Sequence, residues 1–314
     1  MRGVVHVWVA VAFLSGAASA QDNRVRFEVS VESVTLDVVV VDDRGRFVSG
    51  LSEEDFVVLD NGVEQELAFF TPEFTPVTTL LLLDSSSSIR SSLTAIQTAA
   101  YLFARNLSEG DLARVGLFSS SVRFGPRFTA DVDEHLSILQ SMRAAGRTAL
   151  YDAILTALDE LSTIEGRKSL LVFTDGDDAG PAQQGSQSTS DDANEGAKLS
   201  EVTIYTVGFT GWGPQGSESV NVPFLTTLAE ATGGRAFFPE DVEQVKEAFL
   251  DVQEDLHRHY RMAYIPSEAP PETPETNDET NDEAWRPLEV RVRGRDDLIV
   301  RTRQGYYARA EHSP

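Results

Sequence analysis

The sequence predicts an α/β fold: a doubly wound, mostly parallel sheet, with a flanking β-sandwich-like module formed from the N- and C-terminal segments. Three observations lead there. Apolar runs of strand length, Leu80-Leu81-Leu82-Leu83 and Leu170-Leu171-Val172-Phe173, each stop at a polar cluster, as strands buried on both faces of a parallel sheet do. Across residues 75–258 such runs alternate with segments of helical period. Towards both ends of the chain the apolar period becomes two, the mark of half-buried strands.

Taken in order, residues 1–20 read as a signal peptide. Arg2 supplies the positive start, Val4 to Leu14 the apolar stretch and Ala18-Ser19-Ala20 the small-residue cleavage site. The apolar stretch is short for a membrane span. The expectation is cleavage after Ala20 and an exported protein, periplasmic or secreted, that is not membrane-embedded. Residues 21–72 form an N-terminal β segment, in which Val34, Leu36, Val38 and Val40 alternate. Asp42-Asp43-Arg44-Gly45 and Asp60-Asn61-Gly62 are turn signals, the second between Phe56-Val57-Val58-Leu59 and Glu66-Leu67-Ala68-Phe69-Phe70.

The α/β domain at 75–258 is expected to hold strands near 77–84, 113–119, 169–175, 202–208 and 235–238. Its helices are expected near 89–107, 131–143, 149–162, 222–232 and 241–258; in the last, Val242, Val245, Phe249, Val252 and Leu256 mark one apolar face. Residues 259–314 return to period two at Tyr260, Met262 and Tyr264, at Leu288, Val290 and Val292, and at Leu298 and Val300. Within this segment, 267–284 carries seven acids, three prolines and no basic residue, and reads as a flexible acidic loop. Neither end makes a stable sheet domain alone, and chain termini tend to lie close together, so 21–72 and 259–314 are expected to pair.

Net charge is −24, from 26 basic and 50 acidic residues, which argues against nucleic acid as a partner. Apolar content of 41% is ample for a core. The chain has no cysteine, which excludes disulfides and a lipidated N-terminal cysteine.

Asp84, Ser86 and Ser88 follow the first apolar run at alternate positions, where open α/β sheets bind their ligands. Their side chains offer oxygen alone, which suits a hard divalent cation. Taken by itself, this Ser-rich stretch could equally cap a helix. Two further segments offer partners: Gly146-Arg147-Thr148, opening a helix, and Thr174-Asp175-Gly176, ending the second apolar run. Asp-x-Ser-x-Ser, a downstream Thr and a later Thr-Asp-Gly resemble the metal-ion-dependent adhesion site of von Willebrand factor type A domains, a likeness covering about residues 75–257. That resemblance implies a Rossmann-like fold, with Mg2+ or Mn2+ held by the hydroxyls of Ser86, Ser88 and Thr148. Asp84 and Asp175 would act directly or through water. Arg147 stands where relatives often carry glycine. The whole chain also resembles exported bacterial relatives of that family, through Gly50-Leu51-Ser52-Glu53-Glu54-Asp55-Phe56, Asp60-Asn61-Gly62 and Gly305-Tyr306-Tyr307-Ala308.

What the resemblance implies is metal-dependent protein binding, in adhesion or envelope assembly, with the partner donating an Asp or Glu carboxylate to the cation. Loops at 176–192 and 209–220 would rim the site. They carry Trp212, readable as an interface anchor or as packed on its own loop, and Asp177 and Asp178, expected as solvated rim charges. The rival reading is a metal-dependent hydrolase or phosphotransferase with Asp84 as nucleophile. Such enzymes carry a second Asp two residues on, where this chain has Ser86, and the five histidines have no motif context; His257 and His259 stand at a helix end, where they are expected to favour its dipole. A third reading is a structural envelope protein with an unused metal site.

Overall fold

The computed structural model describes residues 33–72, 74–174, 178–180, 182, 185–209, 220–267 and 283–309. The signal segment, Asp175, Asp177, Trp212 and most of the acidic loop lie outside the described residues. Chain order opens with β1 (Val34–Val41), β2 (Phe56–Asp60), β3 (Val63–Gln65) and β4 (Leu67–Thr71). The α/β body follows: β5 (Val77–Asp84), α1 (Leu93–Arg105), β6 (Leu112–Phe118), β7 (Val122–Phe124), α2 (Val132–Ser141), α3 (Leu150–Ser162) and β8 (Arg167–Thr174). It continues with α4 (Ser190–Leu199), β9 (Val202–Gly208), α5 (Val222–Ala231), β10 (Ala236–Phe237) and α6 (Val242–His257). The last strands are β11 (Tyr260–Tyr264), β12 (Glu283–Val292), β13 (Ile299–Arg301) and β14 (Gly305–Arg309).

Among the described residues the body holds one six-stranded sheet, ordered β10-β9-β8-β5-β6-β7. Its pairs are parallel except at the β7 edge. Both faces are covered, which is why β5 and β8 read as unbroken apolar runs. Leu81, Leu83, Leu171 and Phe173 pack with Ile96 and Phe103 of α1 and Phe249 and Val252 of α6. Leu80, Leu82, Leu170 and Val172 pack on the other face with Ile154 of α3 and Leu225 and Leu228 of α5. The chain starts this sheet at β5, adds β6 on one side and then crosses to β8 on the other. The topological switch point therefore lies at the carboxyl end of β5, where Asp84 stands.

The sequence reading runs the loop at 176–192 into the first turn of α4 and expects no helix between β8 and β9. That helix buries only Ala193 and Ala197, so its apolar stripe is nearly silent. Its signal was a capping box, with Thr189 accepting from the Asp192 amide (3.1 Å) and the Asp192 carboxylate accepting from the Thr189 amide (2.7 Å).

The other strands make two antiparallel sheets, β13-β1-β11-β4 and β14-β12-β2-β3, each mixing strands from both ends of the chain. They face each other through one core, with Leu36, Val38, Tyr260 and Met262 against Phe56, Val58, Val290 and Val292. The fold class is thus the one the sequence predicts: an α/β body with a parallel sheet, joined to antiparallel sheets.

The end motifs acquire structural roles here. Asp60, wholly buried, accepts from Arg286 Nε (2.7 Å), the Tyr264 hydroxyl (3.0 Å) and the Tyr306 hydroxyl (2.9 Å). The Leu51 amide donates to the Tyr260 hydroxyl (3.1 Å), which donates to the Val48 carbonyl (2.8 Å).

A polar seam joins body and sandwich. Arg167, opening β8, donates to Asp37 of β1 (2.9 Å) and to the Leu256 carbonyl at the end of α6. Arg301 pairs with Asp255 (2.8 Å). Gly233, at φ +82°, passes so close to the chain at Thr302 that a Cβ would sit 2.5 Å from its carbonyl carbon. His259 is buried in this seam rather than complementing the α6 dipole, as its place near a helix end had implied.

Candidate metal centre

Asp84 ends β5 with no exposed surface. Its Oδ1 accepts from the Ser86 amide (2.7 Å) and its Oδ2 from the Thr174 hydroxyl (2.8 Å). The chain leaves the strand in a turn fixed by Ser85, whose amide and hydroxyl both donate to the Phe118 carbonyl of neighbouring β6 (2.6 and 2.7 Å). The turn places the Ser86 and Ser88 hydroxyls 2.9 Å apart. Burial pushes the Asp84 carboxyl above its ordinary pKa, opposed by the bonds from Ser86 and Thr174. No cationic side chain partners Asp84 among the described residues.

The Thr148 loop is tied to this turn from several sides. The Ala145 amide donates to the Ser85 carbonyl (2.9 Å), and the Ser87 amide to the Gly146 carbonyl (3.1 Å). Arg147 and Ala149 donate to the Ser120 hydroxyl (3.0 Å) and the Ser119 carbonyl (2.9 Å) beyond β6. Gly146 takes φ +90°, and a Cβ there would lie 3.1 Å from the Ser119 hydroxyl. Thr148, held next to it, is buried. The structure thus brings Asp84, Ser86, Ser88 and the Thr148 loop to one place. Arg90 reaches the Ala144 carbonyl (3.4 Å) and Arg147 is exposed, so two cations lie along the edge of the site.

Two residues alter the sequence reading. Thr174 was passed over for the Asp that follows it, yet its hydroxyl holds Asp84 from the next strand; its place in Thr-Asp-Gly was the available signal. Asp178 is corrected. Far from being a solvated rim charge, it accepts from the amides of Leu150 (2.6 Å), Tyr151 (3.4 Å), Gly180 (2.7 Å) and Ser186 (3.0 Å). It therefore caps α3, whose own N-cap residue, Ala149, has no side-chain acceptor.

The donor set fits a hard cation. Neutral hydroxyls and one buried carboxylate converge at a strand-end crevice, and among the described residues no cationic side chain pairs with the carboxylate. Among the described residues no group of three or more His, Cys, Asp or Glu gathers, so the carboxylate count rests on Asp84 here. Ser86, Ser88 and Thr148 would hold the ion beside it.

A doubly wound sheet whose switch point carries a hydroxyl-rich turn defines a von Willebrand factor A-type body. The family model of the von Willebrand factor type A domain matches residues 80–251, more than half the chain, and the chain belongs to that family. A curated relative from Mycolicibacterium gilvum, described as a UPF0353 protein, is 28% identical over 205 residues, 56% of this chain and 59% of the relative. The chain thus spans less than two thirds of that relative's length. Among solved structures, a von Willebrand factor type A protein from Catenulispora acidiphila is 14% identical, covering 82% of this chain and 74% of that one, at a TM-score of 0.48. BatB from Bacteroides thetaiotaomicron is 16% identical, covering 57% and 98%, at 0.45. Family membership sets the coarse class, a protein-interaction or adhesion module. No helix among the described residues is long and apolar enough to cross a membrane.

Proposed function

We propose that this protein is an exported binding module that recognises a protein partner through a divalent cation, Mg2+ or Mn2+, and that it is not an enzyme. The observation that carries the reading is the convergence of Ser86, Ser88 and the Thr148 loop on a buried carboxylate that no cationic side chain pairs with among the described residues. When bound, the ion would supply a Lewis-acidic position open to an Asp or Glu of the partner. The chain's own groups do the rest. Thr174 and the Ser86 amide hold Asp84 in one orientation, the hydroxyls offer neutral oxygens, and the loop tied to Ser85 and Ser119 sets the spacing. Arg90 and Arg147 favour an acidic approach in a chain of net charge −24.

The phosphotransferase reading fares worse. Both Asp84 oxygens already accept hydrogen bonds, and Ser86 stands where such enzymes carry their second Asp. Export rests on the signal-like segment at 1–20. Capture from an envelope extract on immobilised protein, with elution by EDTA and return on Mg2+ or Mn2+, tests the reading. A partner retained equally in EDTA, or by a Thr148→Ala protein that still binds metal, would show recognition through another surface.

A further inference from the structure

At the amino-terminal ends of β8 and β9, across the sheet from the candidate metal centre, the seam between body and sandwich encloses a cavity of about 200 Å3. Five cationic side chains and two carboxylates line it, an excess of positive charge inside a strongly acidic chain. The carboxylates are committed. Asp37 takes Arg167 at 2.9 Å, and Glu201 lies 3.9 Å from Lys168. Lys198 has Glu195 at 3.8 Å, outside the cavity lining. Two guanidiniums remain. Arg261 has no hydrogen-bond or ion-pair partner among the described residues, although it stands directly across the strand pair from Asp37. Arg303 donates its Nε to the Gly305 carbonyl (2.9 Å) and makes no ion pair among those residues, although Glu201 acts on it at longer range. Burial pulls its pKa below the ordinary arginine value. Thr302, which also lines the cavity, has its hydroxyl buried and without a hydrogen-bond partner there.

We propose that this cavity binds one small tetrahedral oxyanion of the phosphate class, held between Arg261 and Arg303. Guanidinium forks match oxyanion geometry and carry their charge at every working pH. The cations converge from different elements: Arg261 from β11, Arg303 from the β13–β14 link, Arg167 and Lys168 from β8. Four oxygens pointing in four directions satisfy that arrangement better than the two of a carboxylate. The volume admits a single small ion and no nucleotide. Because the lining comes from both modules, the anion would also pin the sandwich to the body.

The full chain should be titrated with inorganic phosphate in EDTA, by calorimetry and thermal melting, against acetate and chloride at matched ionic strength. Phosphate is expected to bind and to raise Tm, while acetate and chloride do neither. Arg303→Gln and Arg261→Gln should each weaken phosphate binding about tenfold or more, and Arg303→Lys, which keeps the charge but loses the fork, should weaken it too. Unliganded melts check that each variant folds. Asp84→Ala should bind phosphate like the parent, which separates this site from the metal reading. Equal stabilisation by acetate would reduce the effect to charge screening and overturn the proposal. So would unchanged phosphate affinity in the Arg261→Gln, Arg303→Gln double variant.

Discussion

Asp84 in the body and Asp60 in the sandwich are both wholly buried carboxylates that accept hydroxyl donors, yet they are completed differently. Asp60 has Arg286 at 2.7 Å with two tyrosine hydroxyls around it, so its charge is balanced inside the protein. Asp84 has a threonine hydroxyl and an amide, both neutral. A buried charge needs compensation, and where the described residues supply none the carboxyl takes a proton or a bound cation instead. Asp60 is therefore a closed site that holds the sandwich together, and Asp84, on the function proposed above, an open one that a cation would complete.

The largest test removes the cation from the closed site. Arg286→Met leaves Asp60 buried and unpaired, and should cost about 3–5 kcal/mol in urea denaturation. It should leave metal binding at the other site unaltered, provided the variant folds. A variant as stable as the parent would mean that Arg286 does not balance Asp60, and the contrast with Asp84 would collapse.

A third buried titratable group sharpens the contrast, because it is kept uncharged rather than compensated. Burial pulls the His259 imidazole down to about 4; Arg167, Arg261 and His257 add to that, and Asp37 opposes it. In the unfolded chain the same ring protonates below about pH 6.5. Folding stability from this group is thus complete above that pH and declines as pH falls towards 4, by about 3 kcal/mol at most. Urea midpoints between pH 7 and 5, compared with those of His259→Leu, isolate the effect from carboxylate titration. Parallel curves for the two proteins would place a charged imidazole in the seam.

The open site should respond to metal. At about a hundredfold excess over Kd, a bound cation stabilises the fold by about 2.7 kcal/mol. Asp84→Asn should abolish that gain while leaving metal-free stability equal or higher, since a desolvated carboxylate is gone. Should Mg2+ or Mn2+ stabilise the asparagine variant as much as the parent, the ion binds elsewhere.

The same contrast explains what the sequence disclosed. Strands buried on both faces announce themselves as unbroken apolar runs, and residues that change from apolar to hydroxyl at a strand end announce a site, so β5, β8 and the Asp84 turn were legible. The motifs at the chain ends were visible too, but not their purpose, because Asp60, Arg286 and Tyr306 meet only through strand pairing across more than two hundred positions. Three features left little signal. The α4 stripe is two alanines, Thr174 looked like a strand residue before an acid, and Asp178 looked solvated because sequence shows charge but not the amides that surround it. His259 failed for the same reason, its burial arising from a module contact that local periodicity cannot show.

Asp178 supplies the smallest test and the finest one. It is a carboxylate near the switch point besides Asp84, and its compensation comes from amides at the start of α3, where the helix dipole also favours negative charge. It is thus closed in its own way, by backbone amides. Asp178→Ala should cost about 1–2 kcal/mol of stability, the usual penalty for a lost cap. The variant also frees the Gly180 and Ser186 amides, so the segment following β8 should exchange hydrogen faster. Metal affinity should fall only a few-fold, since Ser86 and Ser88 sit on another segment and the Thr148 loop keeps its bonds to Ser85, Ser87 and Ser119. Calorimetry on this variant beside Asp84→Asn decides the matter. If both lose metal binding completely, Asp178 is a ligand rather than a cap, and the open site extends further along the crevice than Asp84 and its hydroxyls.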